Sequence, residues 1–154
     1  MQQNGVCDMK KGIIFFVTIV IAFLVFLVCI PIVNDGVARK TAEKIKGTAI
    51  PETSEYIESF SAAGKLVGNG NGMQYFGGIL IKSELSLEKL KAYYSRFAQN
   101  EWEYIVEKQT GRNIPVIEHG VLTLNTDIQG DKYYIVYSWG SNDTVFDKLD
   151  IRGN

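Results

Sequence analysis

The chain has 154 residues, with 16 basic and 17 acidic side chains and a formal net charge of −1. That balance argues against general nucleic-acid binding, which needs a clustered basic surface, so no nucleic-acid partner is expected. The two cysteines, Cys7 and Cys29, both precede residue 34. The remainder of the chain therefore cannot form an internal disulfide or a cysteine–zinc site.

Residues 1–11 form a short tail that carries Lys10 and Lys11. Gly12–Val33 follows as GIIFFVTIVIAFLVFLVCIPIV, without a formal charge. As a helix it would be about 33 Å long, enough to cross a hydrocarbon core of about 30 Å. The lipid bilayer is thus the first expected partner, through residues 12–33. A cleaved signal peptide usually has a shorter apolar core and a small-x-small site. The run Phe26-Leu27-Val28-Cys29-Ile30-Pro31 offers neither that site nor a lipoprotein signal before Cys29. The reading is an uncleaved signal anchor in the cell membrane. Lys10, Lys11 and the short tail put the N-terminus in the cytoplasm. Arg39, Lys40, Lys44 and Lys46 pull the other way, but long domains cross largely regardless of charge. The C-terminal domain is expected outside.

Residues 34–51 read as a juxtamembrane stalk. Asn34–Gly36 is a polar break, and Val37–Lys46 is a short helix with Val37, Ala38, Ala42 and Ile45 on one narrow stripe. Gly47 and Pro51 end it. Residues 52–154 read as one globular domain. Ser54–Leu66 is a first strand, with Tyr56, Phe60, Ala62 and Leu66 on one face and Glu58 intruding. Met73–Lys82 is a second, apolar on both faces and so central. The GNGNG stretch at 68–72 between them suits a hairpin, since glycine and asparagine tolerate positive φ. It is not a phosphate loop, because a strand follows it and no Gly-Lys-Ser/Thr is present. Gly77-Gly78 inside a strand predicts a bulge or the close approach of another backbone.

Ser86–Ala98 is the best helix of the domain. Ser86 is its cap, and Leu87, Leu90, Tyr94 and Phe97 form its apolar face. Trp102–Lys108 is a third strand with Trp102, Tyr104 and Val106 on one side and acidic residues opposite. Pro115–Glu118 is a short strand, Val121–Ile128 a fourth, with Leu122, Leu124 and Ile128 inward. Lys132–Trp139 is a fifth, with Tyr133, Ile135, Tyr137 and Trp139 on one face and Tyr134 and Val136 on the other. The tail supplies Val145, Phe146, Leu149 and Ile151 to dock on the sheet. The fold class is α+β: an N-terminal transmembrane helix, then a small two-layer domain with a mainly antiparallel sheet and one packed helix.

Chemistry is mostly excluded. His119 is the single histidine, which rules out multi-histidine metal sites. A Ser-His-acid triad would have to use it, and no Gly-x-Ser-x-Gly elbow is present. No cofactor and no metal site are expected, and no catalytic residue is assigned. Candidate ligand or partner contacts are Asn69 and Asn71 of the hairpin with Tyr137 and Trp139, since adaptable loops and exposed aromatics suit interfaces. The expected function is a single-pass membrane-anchored protein that displays a binding domain to an unidentified protein or envelope partner. The alternative is a cell-envelope hydrolase or transferase working through carboxylates.

Overall fold

The computed structural model describes residues 3–68, 70–97, 103–118, 120–142 and 144–153, with the backbone alone for residues 3–9. The first element, α1, is a single helix over Gln3–Lys46, 44 residues with Pro31 inside it. It is about 66 Å long. Among the described residues it is the one helix long and apolar enough to cross a membrane. Its apolar side chains from Ile13 to Val28 are largely exposed, as a lipid-facing surface would be.

Asn34–Gly36, expected as a break, is helical. Proline removes only its own N–H bond and perturbs the preceding turn, and Asn34 finds partners elsewhere in the fold. The segment expected as a stalk is also packed inside the folded unit. Ala38, Ala42 and Ile45 are at most 2% exposed. Their spacings of four and three put them on one stripe, as expected, and that stripe lies on a sheet.

The sheet has four antiparallel strands in the order β1-β2-β6-β3: β1 is Ser54–Gly64, β2 Gln74–Ser83, β3 Ile105–Lys108 and β6 Tyr133–Gly140. β2 is central, and alternation splits its side chains between two cores. On one face Ile79 and Ile81 pack with Tyr134 and Val136 of β6, Ile45 of α1, and Leu90 and Tyr94 of α2 (Leu87–Tyr94). Ser86 caps α2 through Lys89 N–H, 3.4 Å away, and Ser95–Phe97 continues as a 3-10 turn. The expected packed helix is therefore joined on this face by the end of α1. On the other face Phe76 and Leu80 pack with Phe60, Ile135, Ile114 and Leu124.

Gly77 explains how closely α1 approaches. A Cβ there would lie 2.6 Å from Ala42 N and 2.7 Å from Ala38 O. Gly78 faces the opposite way, where a Cβ would meet Phe60 at 2.6 Å. The glycine pair thus marks a close backbone approach. The register break falls instead on β1, between Tyr56 and Glu58. A one-residue shift turns side chains to the other face. Tyr56 accordingly joins the helix-side core and Phe60 the opposite one, not one shared face.

The stretch after β3 departs most from expectation. Val121–Ile128 does not form a fourth sheet strand. Leu122–Thr123 is β5, paired only with β4, Asn113–Ile114, and Ile117 makes a single bridge to Leu66. Asn125 and Thr126 N–H groups are captured by the Glu58 carboxylate at 3.1 and 2.8 Å, which turns the chain away from the ladder. Leu122, Leu124 and Ile128 still pack inward. Trp102 lies outside the described residues, as does His119. The C-terminal segment also differs. α3, Val145–Leu149, packs against α1, the 3-10 turn Ile151–Gly153 packs against α3 and β1, and Val145, Leu149 and Ile151 stay exposed.

Candidate functional site

Asn71 sits between Gly70 and Gly72, whose φ values of 71° and 132° require glycine-like freedom. With Met73, Ser141, Asn142, Asp147 and Lys148 it lines a cleft of about 530 Å³. Asn69 lies outside the described residues. Tyr137 is elsewhere, in a groove of about 300 Å³ with Val67, Phe76, Glu107 and Pro115. Its ring lies 5.0 Å from that of Phe76, and its hydroxyl donates to Glu107 Oε1 at 3.1 Å. Burial, with Glu107 beside it, pushes the Tyr137 phenol well above its ordinary value. Trp139 is 38% exposed at the end of β6. Asn71 and Tyr137 thus line different clefts.

A third cleft was not anticipated. It holds about 440 Å³ between α1 and the end of β6, with Lys40, Thr41 and Lys44 on one wall and Tyr104, Ser138 and Asn142 among the others. Lys40 and Lys44 are four residues apart, hence on one helix face. Neither has an ion-pair partner among the described residues. Ser138 is 1% exposed, and its Oγ has no hydrogen-bond partner among the described residues. A buried hydroxyl without a partner is costly, and a ligand acceptor would satisfy it. Two cations over hydroxyl and amide groups suit an anionic group. A serine nucleophile needs a base within hydrogen-bond reach, which Ser138 lacks among the described residues. The sequence signal was a serine on the inward face of an apolar strand.

Beside these clefts a polar cluster joins α1 to the C-terminus. The single Tyr75 O–H proton is shared between Asn34 Oδ1, 2.9 Å away, and Asp147. Asn34 Nδ2 donates to Asp150 Oδ2 at 2.8 Å and Phe146 O at 3.2 Å. Arg152 grips Asp150 through Nε at 3.0 Å and Nη2 at 2.8 Å, and reaches Asp35 at 2.8 Å through Nη1. Burial opposes ionisation of Asp150, but the Arg152 and Asn34 hydrogen bonds outweigh it and hold its carboxyl below the ordinary value. Burial and then Asp147 raise the Tyr75 phenol. These acids are committed to structure, and no group of three or more His, Cys, Asp or Glu among the described residues could hold a metal.

Compared with protein-family models, with curated proteins and with solved structures, the chain has no match in any of the three. Its function has to be argued from these residues.

Proposed function

We propose that the protein is a single-pass, membrane-anchored binding protein, with a cytoplasmic N-terminus and the α+β unit displayed outside. The observation that carries the reading is the role of Ile30–Asp35. Ile30 is 3% exposed and Asn34 fully buried, and Asn34, Asp35 and the Pro31 carbonyl all bond the C-terminal segment. The end of the apolar run is therefore part of the folded unit. Cleavage beyond Asn34 would strip the fold of a polar cluster, so the end of the apolar run is disfavoured as a cleavage site. With no linker between span and sheet, the domain and its clefts are held at a fixed height close to the bilayer. The α1–β6 cleft, with its two lysines, is the part of the surface best suited to hold an anionic group on an envelope partner.

Intact mass of the protein from washed membranes tests retention: the full chain is expected to resist alkaline extraction. A mass lacking the first thirty or so residues (the range of a signal peptide) would overturn it. Protease digestion of cells stripped of their outer barrier tests the side: the domain is expected to be cut without lysis. Protection until detergent is added would place it in the cytoplasm.

A further inference from the structure

We propose that the C-terminal segment, α3 and the turn after it, is an interfacial membrane wedge that places Val145, Leu149 and Ile151 among lipids beside the span. The proposal rests on the anchored reading above. Its first support is position. The Phe146 ring lies 6.1 Å from that of Phe26, while Arg152 Nη2 donates to Pro31 O at 3.3 Å. The segment therefore lies alongside α1 between about Phe26 and Asp35. From Phe26 to Val33 the helix rises about 10 Å, so the segment overlaps the last turns of the apolar run. Interfacial elements bury their apolar faces to about 5–10 Å.

The second support is what the segment exposes. Val145 is 66% exposed, Leu149 46% and Ile151 85%. At the same height on α1, Ile32 and Val33 are exposed as well. The end of the span and the C-terminal segment thus both carry exposed apolar side chains at one height, and a water-facing segment would leave its own bare.

The third support is polar satisfaction. Backbone entering a poorly hydrated layer must bond internally. Thr144 and Asp147 form a reciprocal capping box on α3. Asp150 N donates to Phe146 O at 3.1 Å, Gly153 N to Asp150 O at 3.1 Å, and Arg152 N to the Asp150 carboxylate at 3.1 Å. The charges of Asp35, Asp150 and Arg152 are paired with one another. Arg39, further along α1 and exposed, lies where lipid phosphates would be met.

The test uses the full chain, carrying Cys7→Ser and Cys29→Ser, in vesicles of phosphatidylcholine with phosphatidylglycerol. Spin labels are placed singly at positions 20, 55, 149 and 151, and melting is checked for each. Glu55 is exposed at the opposite end of β1 from the segment's contacts at Gly64 and Lys65, and serves as the aqueous reference. Collision with oxygen and with an uncharged nickel chelate is read by power saturation. Positions 149 and 151 are expected to lose nickel accessibility and to gain oxygen accessibility relative to 55, as position 20 does. Nickel-accessible labels at 149 and 151, with position 20 in lipid, would overturn the wedge and leave the anchor standing. Labels at 149 and 151 shielded from both reagents would mean that protein covers the patch, and would also overturn it. An aqueous signal at position 20 would overturn the anchored reading itself.

Discussion

Gly77 carries the contact between the anchor helix and the sheet, and one methyl group tests it. An alanine Cβ would meet backbone atoms of α1 at 2.6 and 2.7 Å, and backbone cannot rotate aside. Overpacking of this kind costs about 1–3 kcal/mol, which for a chain of this size lowers the melting temperature by roughly 4 °C per kcal/mol. Gly77→Ala in detergent is therefore expected to melt roughly 4–12 °C lower, followed by circular dichroism. Gly111→Ala, where a Cβ meets nothing within 4 Å, is the neutral control. Equal melting of the two would mean α1 is not seated as described. Asp150 gives a pH prediction. Its folded pKa is depressed below the ordinary 3.8, so its ionised form stabilises the fold at all pH above that value. The contribution fades as pH falls from about 3.8 through the lowered folded value. Asp150→Asn should melt lower at neutral pH and show a shallower fall between neutral and acid. An unchanged acid slope would show that the Arg152–Asp150 pair does not act as drawn.

At the level of elements, Glu58 decides whether residues 121–128 join the sheet. Partial burial works against its ionisation, but hydrogen bonds from Thr126 and Asn125 prevail and hold the carboxyl below its ordinary 4.5. Hydrogen bonds to a charged group are each worth about 1.5–3 kcal/mol at most, less when exposed. Glu58→Gln should speed amide exchange at Asn125 and Thr126, with the β2–β6 amides unaffected. Equal exchange at all these sites, before and after, would remove the fastening role. This element also shows why the sequence could be read only in part. Regular alternation placed β2 and β6 correctly, including Tyr133, Ile135 and Tyr137 opposite Tyr134 and Val136. A capping serine and an apolar face at helical spacing placed α2. The inward set Leu122, Leu124 and Ile128 was legible too, but not the fact that its backbone leaves the ladder, because that depends on a carboxylate more than sixty residues away. The β1 bulge was hidden for the same reason, since register belongs to the pair of strands. Of the candidate contacts, Asn71 does line a cleft and Tyr137 a groove. The lysine cleft needed the crossing of α1 over Gly77, which no local pattern states.

For the whole molecule, the question is whether the domain is complete without the end of its membrane helix. A chain shortened to begin at Val37 keeps Ala38, Ala42 and Ile45 on the sheet but loses Ile30, Asn34 and Asp35. Asp150, 4% exposed in the intact fold, would then lack the Asn34 amide, Tyr75 would lose one of its two partners, and Arg152 would lose Asp35. A broken hydrogen bond to a buried charge costs about 1.5–3 kcal/mol, and uncovering Ile30's contacts removes about 1–2 more. A chain that begins instead at Ile30 retains all of these, and Pro31 then occupies the first helical turn, where its missing N–H costs nothing. The Val37 form should melt roughly 10–20 °C below the Ile30 form at neutral pH. The gap should narrow in acid as Asp150 is protonated, because the lost partner matters most to the carboxylate. Equal melting at neutral pH would mean that α1 beyond the sheet is only a tether. Cleavage as late as Gly36 would then leave a stable domain, and the packing of Ile30–Asp35 would no longer speak against it.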